Sequence, residues 1–306
     1  MATQSQRSKL LIIGGSGFVS GTLAREALAG GWKVWVLTRG QRSLPDGVVG
    51  LVADRRDHVA VEKVIEGAKA CWDLVVDCIG YEPADVKQDI SMFRALAKHL
   101  VFISTDFVFD PAHRKFPQSE ESIHYATQGY GGNKRLCELE LLNNVTGKMA
   151  WTILRPCHIY GPGSQLGCLP THGRDPKLLE RLKKGEPLRL AGGGHFLQQP
   201  IFARDLAKLT LSVVGSGDSH GNVFCAAGPD IIESREYYRI IAEVVGVELK
   251  VEEVPVAQHL AANAEAASFL CHRIYDLGKL KAAGLAVPRM PIQQGLREHV
   301  LSLTAS

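Results

Sequence analysis

"LLIIGGSGFVSGTLAREALAGG", Leu10 to Gly31, changes its periodicity at the glycines. Four apolar residues run in without a polar break, as in a strand buried on both faces. Gly14-Gly15-Ser16-Gly17 follows, and a helical pattern then continues to Gly30-Gly31, which stops it. A strand, a glycine turn and a helix in direct succession leave the helix's first N–H groups beside a place kept clear of side chains. Gly14 and Gly15 suit a tight turn at positive φ, and Gly17 lets the backbone approach a ligand. The third position of such a turn needs only a small residue for helix–strand packing. Ser20 fills it, with Gly21 next. The ligand chemistry that uses this arrangement is a dinucleotide pyrophosphate, and Gly14, Ser16, Gly17, Phe18 and Val19 are the residues expected against it.

Outward from this turn, the first 160 residues alternate strand-like and helix-like stretches. The pattern predicts strands at 9–13, 33–38, 48–53, 73–80, 100–105 and 150–156, with helices at 18–29, 57–69, 84–98 and 132–143. Strands apolar throughout, separated by amphipathic helices, mean a parallel sheet covered on both faces, the α/β doubly wound architecture. Beyond Tyr160 the pattern loosens into Gly- and Pro-rich loops, short helices at 176–185 and 203–214, and α+β segments to the C-terminus. The expected division is a dinucleotide-binding domain over 1–162, completed by about 200–226, and a smaller α+β substrate-binding domain from 163–199 and 227–306.

Composition narrows the function. A net charge of +3 with no long basic run does not favour nucleic acid or an anionic membrane. The seven cysteines are odd in number and contain no CxxC, which argues for reduced thiols rather than disulfides or a metal site. No apolar run reaches the length of a membrane span or a signal-peptide core. A soluble, cytoplasmic protein without a metal is the expectation.

The second strand ends "VWVLTRGQRS". NAD sites place a carboxylate near that point for the ribose 2′-hydroxyl. Here stand Thr38 and Arg39, with Arg42 close by; a guanidinium suits a 2′-phosphate. The cofactor is therefore NADP or NAD, with NADP slightly favoured.

"FISTDFVFD" (102–110), "YGGNK" (130–134), "ILRPCHIYGPG" (153–163) and "YDLGKLKAAGLAVPRMPIQQGLREHV" (275–300) follow in order. With the glycine turn, this series resembles the extended short-chain dehydrogenases/reductases, the NAD-dependent epimerase/dehydratase family, over nearly the whole chain. "LTRG" with "CIGY" is similar to an atypical branch, some members of which bind RNA in chloroplasts. The resemblance implies a Rossmann fold, a nicotinamide cofactor and most often a nucleotide-sugar substrate. It also implies frequent homodimers packed through the helix that holds Tyr130.

Tyr130 and Lys134 lie one helical turn apart on one face. A phenol near pKa 10 is a poor catalyst at neutral pH; a nearby ammonium and an oxidised nicotinamide would lower that value. Lys134 is also placed to hold the nicotinamide ribose. Thr105 would align the reacting carbonyl or alcohol. The resemblance further puts Asp54 beside the adenine, Gly80 where the fourth strand meets the cofactor, and Pro156 and His158 near nicotinamide and substrate. Asp54 also reads as a loop carboxylate, and His158 equally as a buried structural histidine.

Two departures mark this chain. Phe107 stands where dehydratases need a glutamate after Asp106, so dehydration is not expected, and "STDFVFD" looks closer to a dTDP-4-dehydrorhamnose reductase segment. Gln198 stands where nucleotide-sugar enzymes carry an arginine for the substrate diphosphate. An amide cannot make that charge-assisted contact, so Arg273 would serve alone unless it is a surface residue. Asp106, His158, Gln198 and Arg273 form the expected substrate side. The leading expectation is an NAD(P)-dependent reductase or epimerase on a sugar-type carbonyl or secondary alcohol; the rival is a non-catalytic dinucleotide sensor or RNA-associated protein.

Overall fold

The structure, a computed structural model, describes residues 7–304. Elements run β1 (Lys9–Ile13), α1 (Phe18–Ala29), β2 (Lys33–Thr38), β3 (Val49–Val52), α2 (His58–Gly67), β4 (Leu74–Asp77), α3 (Pro83–Phe93), β5 (His99–Ile103), α4 (Gly129–Asn143) and β6 (Ala150–Pro156). They continue with β7 (Ile159–Tyr160), α5 (Leu178–Lys183), β8 (Leu188–Ala191), β9 (Leu197–Gln198), β10 (Ile201–Phe202), α6 (Ala203–Ser212), β11 (Asn222–Ala226), β12 (Ile232–Glu233) and α7 (Ser234–Val244). The last are β13 (Val251–Val254), α8 (Val256–Ala262), α9 (Gly278–Ala282) and α10 (Ile292–Thr304).

Seven strands form one parallel sheet in the order β11-β6-β5-β4-β1-β2-β3. The order reverses between β1 and β4, the point where doubly wound sheets bind ligands. Leu10, Ile12, Val34, Val36, Leu74, Val76 and Val101 enter the apolar cluster that α1 and α6 cover. Their alternate neighbours Leu11, Ile13, Trp35, Leu37, Val75 and Leu100 enter the opposite one, under α2, α3 and α4. A strand buried on both faces has no polar side to show, which is why these segments read as unbroken apolar runs.

A third cluster collects Tyr160, Leu169, Leu190, Tyr237, Tyr238 and Leu296 from the loops and helices after β6. Tyr275, Leu280 and Leu285 instead join the sheet's own cluster, so the C-terminal segment crosses back onto the Rossmann face.

Several elements are shorter than their sequence patterns. β4 stops at Asp77 rather than Gly80, because the Asp77 carboxylate accepts the Ile79 N–H (2.8 Å) and turns the chain. β5 stops at Ile103, and Thr105 caps a short 3-10 turn by accepting the Phe107 N–H at 3.3 Å. Helix α3 ends at Phe93 and gives way to tight turns, Leu96 and Ala97 both donating to the Phe93 carbonyl.

Candidate active site

The expected residues gather at one rim. Gly14 follows β1, Arg39 follows β2, Asp54 follows β3, Gly80 follows β4, Thr105 follows β5 and Pro156 ends β6. All stand at carboxyl ends of parallel strands, to either side of the β1–β4 reversal.

Two glycines at the head of α1 have steric reasons. Gly14 has φ +94°, and a Cβ there would lie 2.5 Å from Ile79. A Cβ on Gly15 would sit 2.2 Å from Val36. Ser20, buried behind them, accepts the Gly17 N–H (3.1 Å) and donates to the Gly14 carbonyl. The serine in the third position thus ties the turn together where a glycine would only pack. Thr38 reaches the Ser16 hydroxyl (3.4 Å) and Arg42 donates to the Ser16 carbonyl (3.4 Å), so a guanidinium lies across this turn. Phe18 and Val19 are half-buried, while Arg39 and Asp54 are exposed. These residues suit a dinucleotide: bare backbone at a helix N-terminus, small residues where backbones approach, and cations at the ribose end.

Tyr130 and Lys134 both project from the start of α4. That helix begins at Gly129, three residues before the expected Gly132, so Tyr130 is in its first turn. The glycines of "YGGNK" permit this. A Cβ on Gly131 would lie 2.0 Å from the Phe107 carbonyl oxygen, and one on Gly132 2.7 Å from the Thr127 backbone. One turn beyond Lys134, Glu138 fastens α4 to the sheet. Buried Glu138 accepts Ser104 Oγ (2.6 Å), Arg135 (2.9 Å) and both Nε and Nη2 of Arg155 (2.8 and 2.7 Å). Burial alone would raise its pKa; Arg155, with these hydrogen bonds, holds it below the usual range. Sequence reading missed Glu138, although 130, 134 and 138 share one helix face.

Lys134 is held by backbone rather than by the phenol. Its ammonium is 1% exposed and donates to the carbonyls of Gly80 (2.8 Å) and Ile103 (2.7 Å). It clasps the loop after β4 to the end of β5 and lies 3.9 Å from the centre of the Phe102 ring. Tyr130 is 50% exposed yet packed between Tyr81 and Phe107, each at 6.3 Å between ring centres. Its pKa is pushed up to about 12, by burial first and then by Tyr81 and Asp106. The Thr105 hydroxyl and, more weakly, the Arg174 guanidinium pull it back down. Lys134 is not among the main groups acting on the Tyr130 hydroxyl; its ammonium donates to backbone carbonyls.

On the expected substrate side, Asp106 and Arg273 face each other rather than the cleft. The buried Asp106 carboxylate takes Arg273 Nε at 2.7 Å and the Tyr275 hydroxyl. Gln198 is displaced from its expected role as well, its amide donating to Cys168 Sγ (2.9 Å). Gln199 spans Gly228 (2.8 Å) and the Tyr275 N–H (2.9 Å). His158 has a buried Nε2 with no partner among the described residues, its ring 5.5 Å from that of Tyr237. Burial, then Arg273 and Arg174, hold His158 neutral by lowering its pKa well below the ordinary value.

The glycine turn, the Tyr130–Lys134 pair and the sheet between them coincide with a family pattern: the model of the NAD dependent epimerase/dehydratase family matches residues 10–226. The chain belongs to that family. It is of the extended short-chain dehydrogenase/reductase type. It is 24% identical over 310 residues to short-chain dehydrogenase/reductase family 42E member 1 of Danio rerio, covering 92% of this chain and 79% of that protein. It is also 26% identical over 245 residues to a chloroplast stem-loop binding protein of 41 kDa from Arabidopsis thaliana, covering 73% of this chain and 60% of that protein's length. Among solved structures, an epimerase from Methanothermobacter thermautotrophicus superposes with a TM-score of 0.80 at 16% identity, over 98% of this chain and 93% of that one. A UDP-glucose 4-epimerase from Thermotoga maritima, solved with UDP-glucose, superposes at 0.77 and 17% identity, over 97% and 99%. These structural likenesses establish the Rossmann fold of the family. No helix among the described residues is long and apolar enough to cross a membrane.

Proposed function

We propose that this protein is a nicotinamide-dependent epimerase or reductase acting on a sugar-type carbonyl or secondary alcohol, a nucleotide sugar foremost. The observation that carries this reading is Tyr130, poised with Thr105 at the carboxyl rim of the sheet on the helix whose lysine grips the loop at Gly80. A bound nicotinamide supplies the hydride acceptor or donor. Gly14, Ser16, Gly17 and Gly80 would hold the dinucleotide, with Arg39 and Arg42 favouring NADP through its 2′-phosphate. Tyr130 moves the proton of the reacting hydroxyl, Thr105 orients that oxygen, and Lys134 keeps both supporting loops in register. Phe107 offers a ring where elimination would need a second carboxylate, so epimerisation or reduction is favoured over dehydration. The segments after Tyr160 form the substrate-side wall of the cleft.

Tyr130→Phe tests this. Turnover should fall by about 10²- to 10⁴-fold while cofactor affinity changes little. A fully active Tyr130→Phe enzyme would falsify the assignment. The stem-loop binding relative supports a second reading, RNA association. Gel-shift binding of a stem-loop RNA at physiological salt, without nicotinamide-linked turnover of any sugar nucleotide, would favour it.

A further inference from the structure

A cluster of charged side chains lies beneath the loop that follows β4, and no step of the proposed reaction uses it. Asp54 is exposed, but Arg55, next to it, is only 7% exposed. Arg55 Nη2 donates to the Asp85 carbonyl (2.6 Å) and the Asp77 carboxylate (3.4 Å), and lies 3.0 Å from the Asp89 carboxylate. Its Nε lies 3.3 Å from the Asp85 carboxylate. One guanidinium thus joins the segment after β3 to the end of β4 and to the first two turns of α3. A buried cation is costly unless carboxylates surround it, and here three do.

Two of these partners hold the backbone of residues 79–82. Asp77 accepts the Ile79 N–H (2.8 Å), and Asp85 accepts the Tyr81 and Glu82 N–H groups (2.9 and 3.2 Å). Asp77 also presses on Gly80, where a Cβ would come within 2.2 Å of its carboxylate. The loop so held touches three parts of the site. Ile79 packs against Gly14, where a Cβ would lie 2.5 Å from it. The Gly80 carbonyl takes the Lys134 ammonium (2.8 Å), and the Tyr81 ring flanks that of Tyr130 at 6.3 Å.

We propose that Arg55 is a positioning residue for the dinucleotide: by fixing Asp77 and Asp85 it sets residues 79–82 against the glycine turn, and cofactor affinity depends on it. This rests on the nicotinamide reading above and adds a determinant that touches neither cofactor nor substrate. A planar guanidinium meets both carboxylates through separate donors, whereas an ammonium is a single point of charge. Asp89 is the partner that holds no loop amide. Burial raises its carboxyl well above the ordinary range, Arg55 pulls it back and Asp77 pushes it up again, so an amide there stays close to its neutral form.

The test compares wild type with Arg55→Lys and with the double variant Arg55→Gln/Asp89→Asn, which removes the cation without leaving all three carboxylates. Amide hydrogen exchange without cofactor reads the loop, and calorimetric titration with NAD and with NADP reads affinity. In the double variant the Ile79, Tyr81 and Glu82 amides should exchange about 10-fold faster or more, while those of β11 hold. The dissociation constant of the dinucleotide that wild type binds should rise by about 10-fold or more, because a small displacement of the loop misplaces its ligand. Arg55→Lys should fall between, at about 3-fold, and decides the matter alone if the double variant does not fold. A merely structural cluster would lower the unfolding midpoint and leave loop exchange and dissociation constant unchanged, which would overturn the proposal. Faster loop exchange with unaltered affinity would overturn it too. Wild type binding neither dinucleotide would sink the nicotinamide reading and this proposal with it, whereas wild-type binding that the Arg55 variants share sinks this proposal only.

Discussion

Tyr130 is held by neighbours that favour its proton. Burial, then Tyr81 and Asp106, disfavour phenolate, so without cofactor the hydroxyl is a hydrogen-bond donor at neutral pH. Lys134, one turn away, is too deeply engaged with Gly80 and Ile103 to reverse this. A second residue-scale consequence concerns His99, which starts β5 with its Nε2 2.8 Å from Thr152 Oγ1. Burial, with a contribution from His220, lowers its pKa to about 4. The unfolded chain then binds a proton near pH 6.5 that the folded chain refuses until about 4, so stability is lost as pH falls through that window. One proton is worth about 1.4 kcal/mol per pH unit there. His158 and His299, also lowered, add in the same direction. Denaturant unfolding of His99→Gln between pH 7 and 4.5 should show a flatter loss than wild type; an unchanged slope would remove His99 from the explanation.

At the scale of an element, the start of α4 sets the geometry of the site. Gly131 is a helix residue by position and a packing residue by necessity, since only a hydrogen fits against the Phe107 carbonyl. Alanine improves helix propensity by about 1 kcal/mol, but here overpacking of about 1–3 kcal/mol or more opposes it. Gly131→Ala should lower the unfolding midpoint and reduce turnover by up to about 100-fold, because Tyr130 moves with the helix start. Gly67 at the end of α2 is the control: it is exposed, and a Cβ there meets nothing within 4 Å. Gly67→Ala should be neutral or stabilising by about 0.5–1 kcal/mol with activity intact. Equal effects of the two substitutions would show that propensity, not clearance, governs α4.

For the whole molecule, the proposed site stands at the carboxyl rim of a sheet with two apolar faces, where His158 meets Tyr237 of the third cluster. A ligand bound there stabilises the folded chain in proportion to its affinity. At about 100 times its dissociation constant a cofactor adds about 2.7 kcal/mol, roughly 5 °C in midpoint for a chain of this size. NADP should shift the midpoint more than NAD at equal concentration, and replacing both Arg39 and Arg42 by alanine should erase the difference. A larger shift with NAD in the wild type would assign those arginines to solvent. The hollow of about 410 Å³ lined by Lys9, Cys71, Asp73 and Lys98 lies at the opposite ends of the strands and should play no part.

From sequence alone, the parallel sheet, the glycine turn and the Tyr130–Lys134 pair were legible, because each depends on local rules: strands buried on both faces are apolar throughout, and a turn over a pyrophosphate needs glycine. What the side chains of the cleft do was a tertiary decision. Whether Arg273 is a clamp or a buried partner of Asp106, whether Gln198 meets substrate or Cys168, and whether Lys134 tunes the phenol or grips two loops depend on which distant groups folding brings within 3 Å. Charge neutralisation is a property of neighbours in space, not in sequence, which is why the Arg273–Asp106 and Arg155–Glu138 pairs gave no sequence signal.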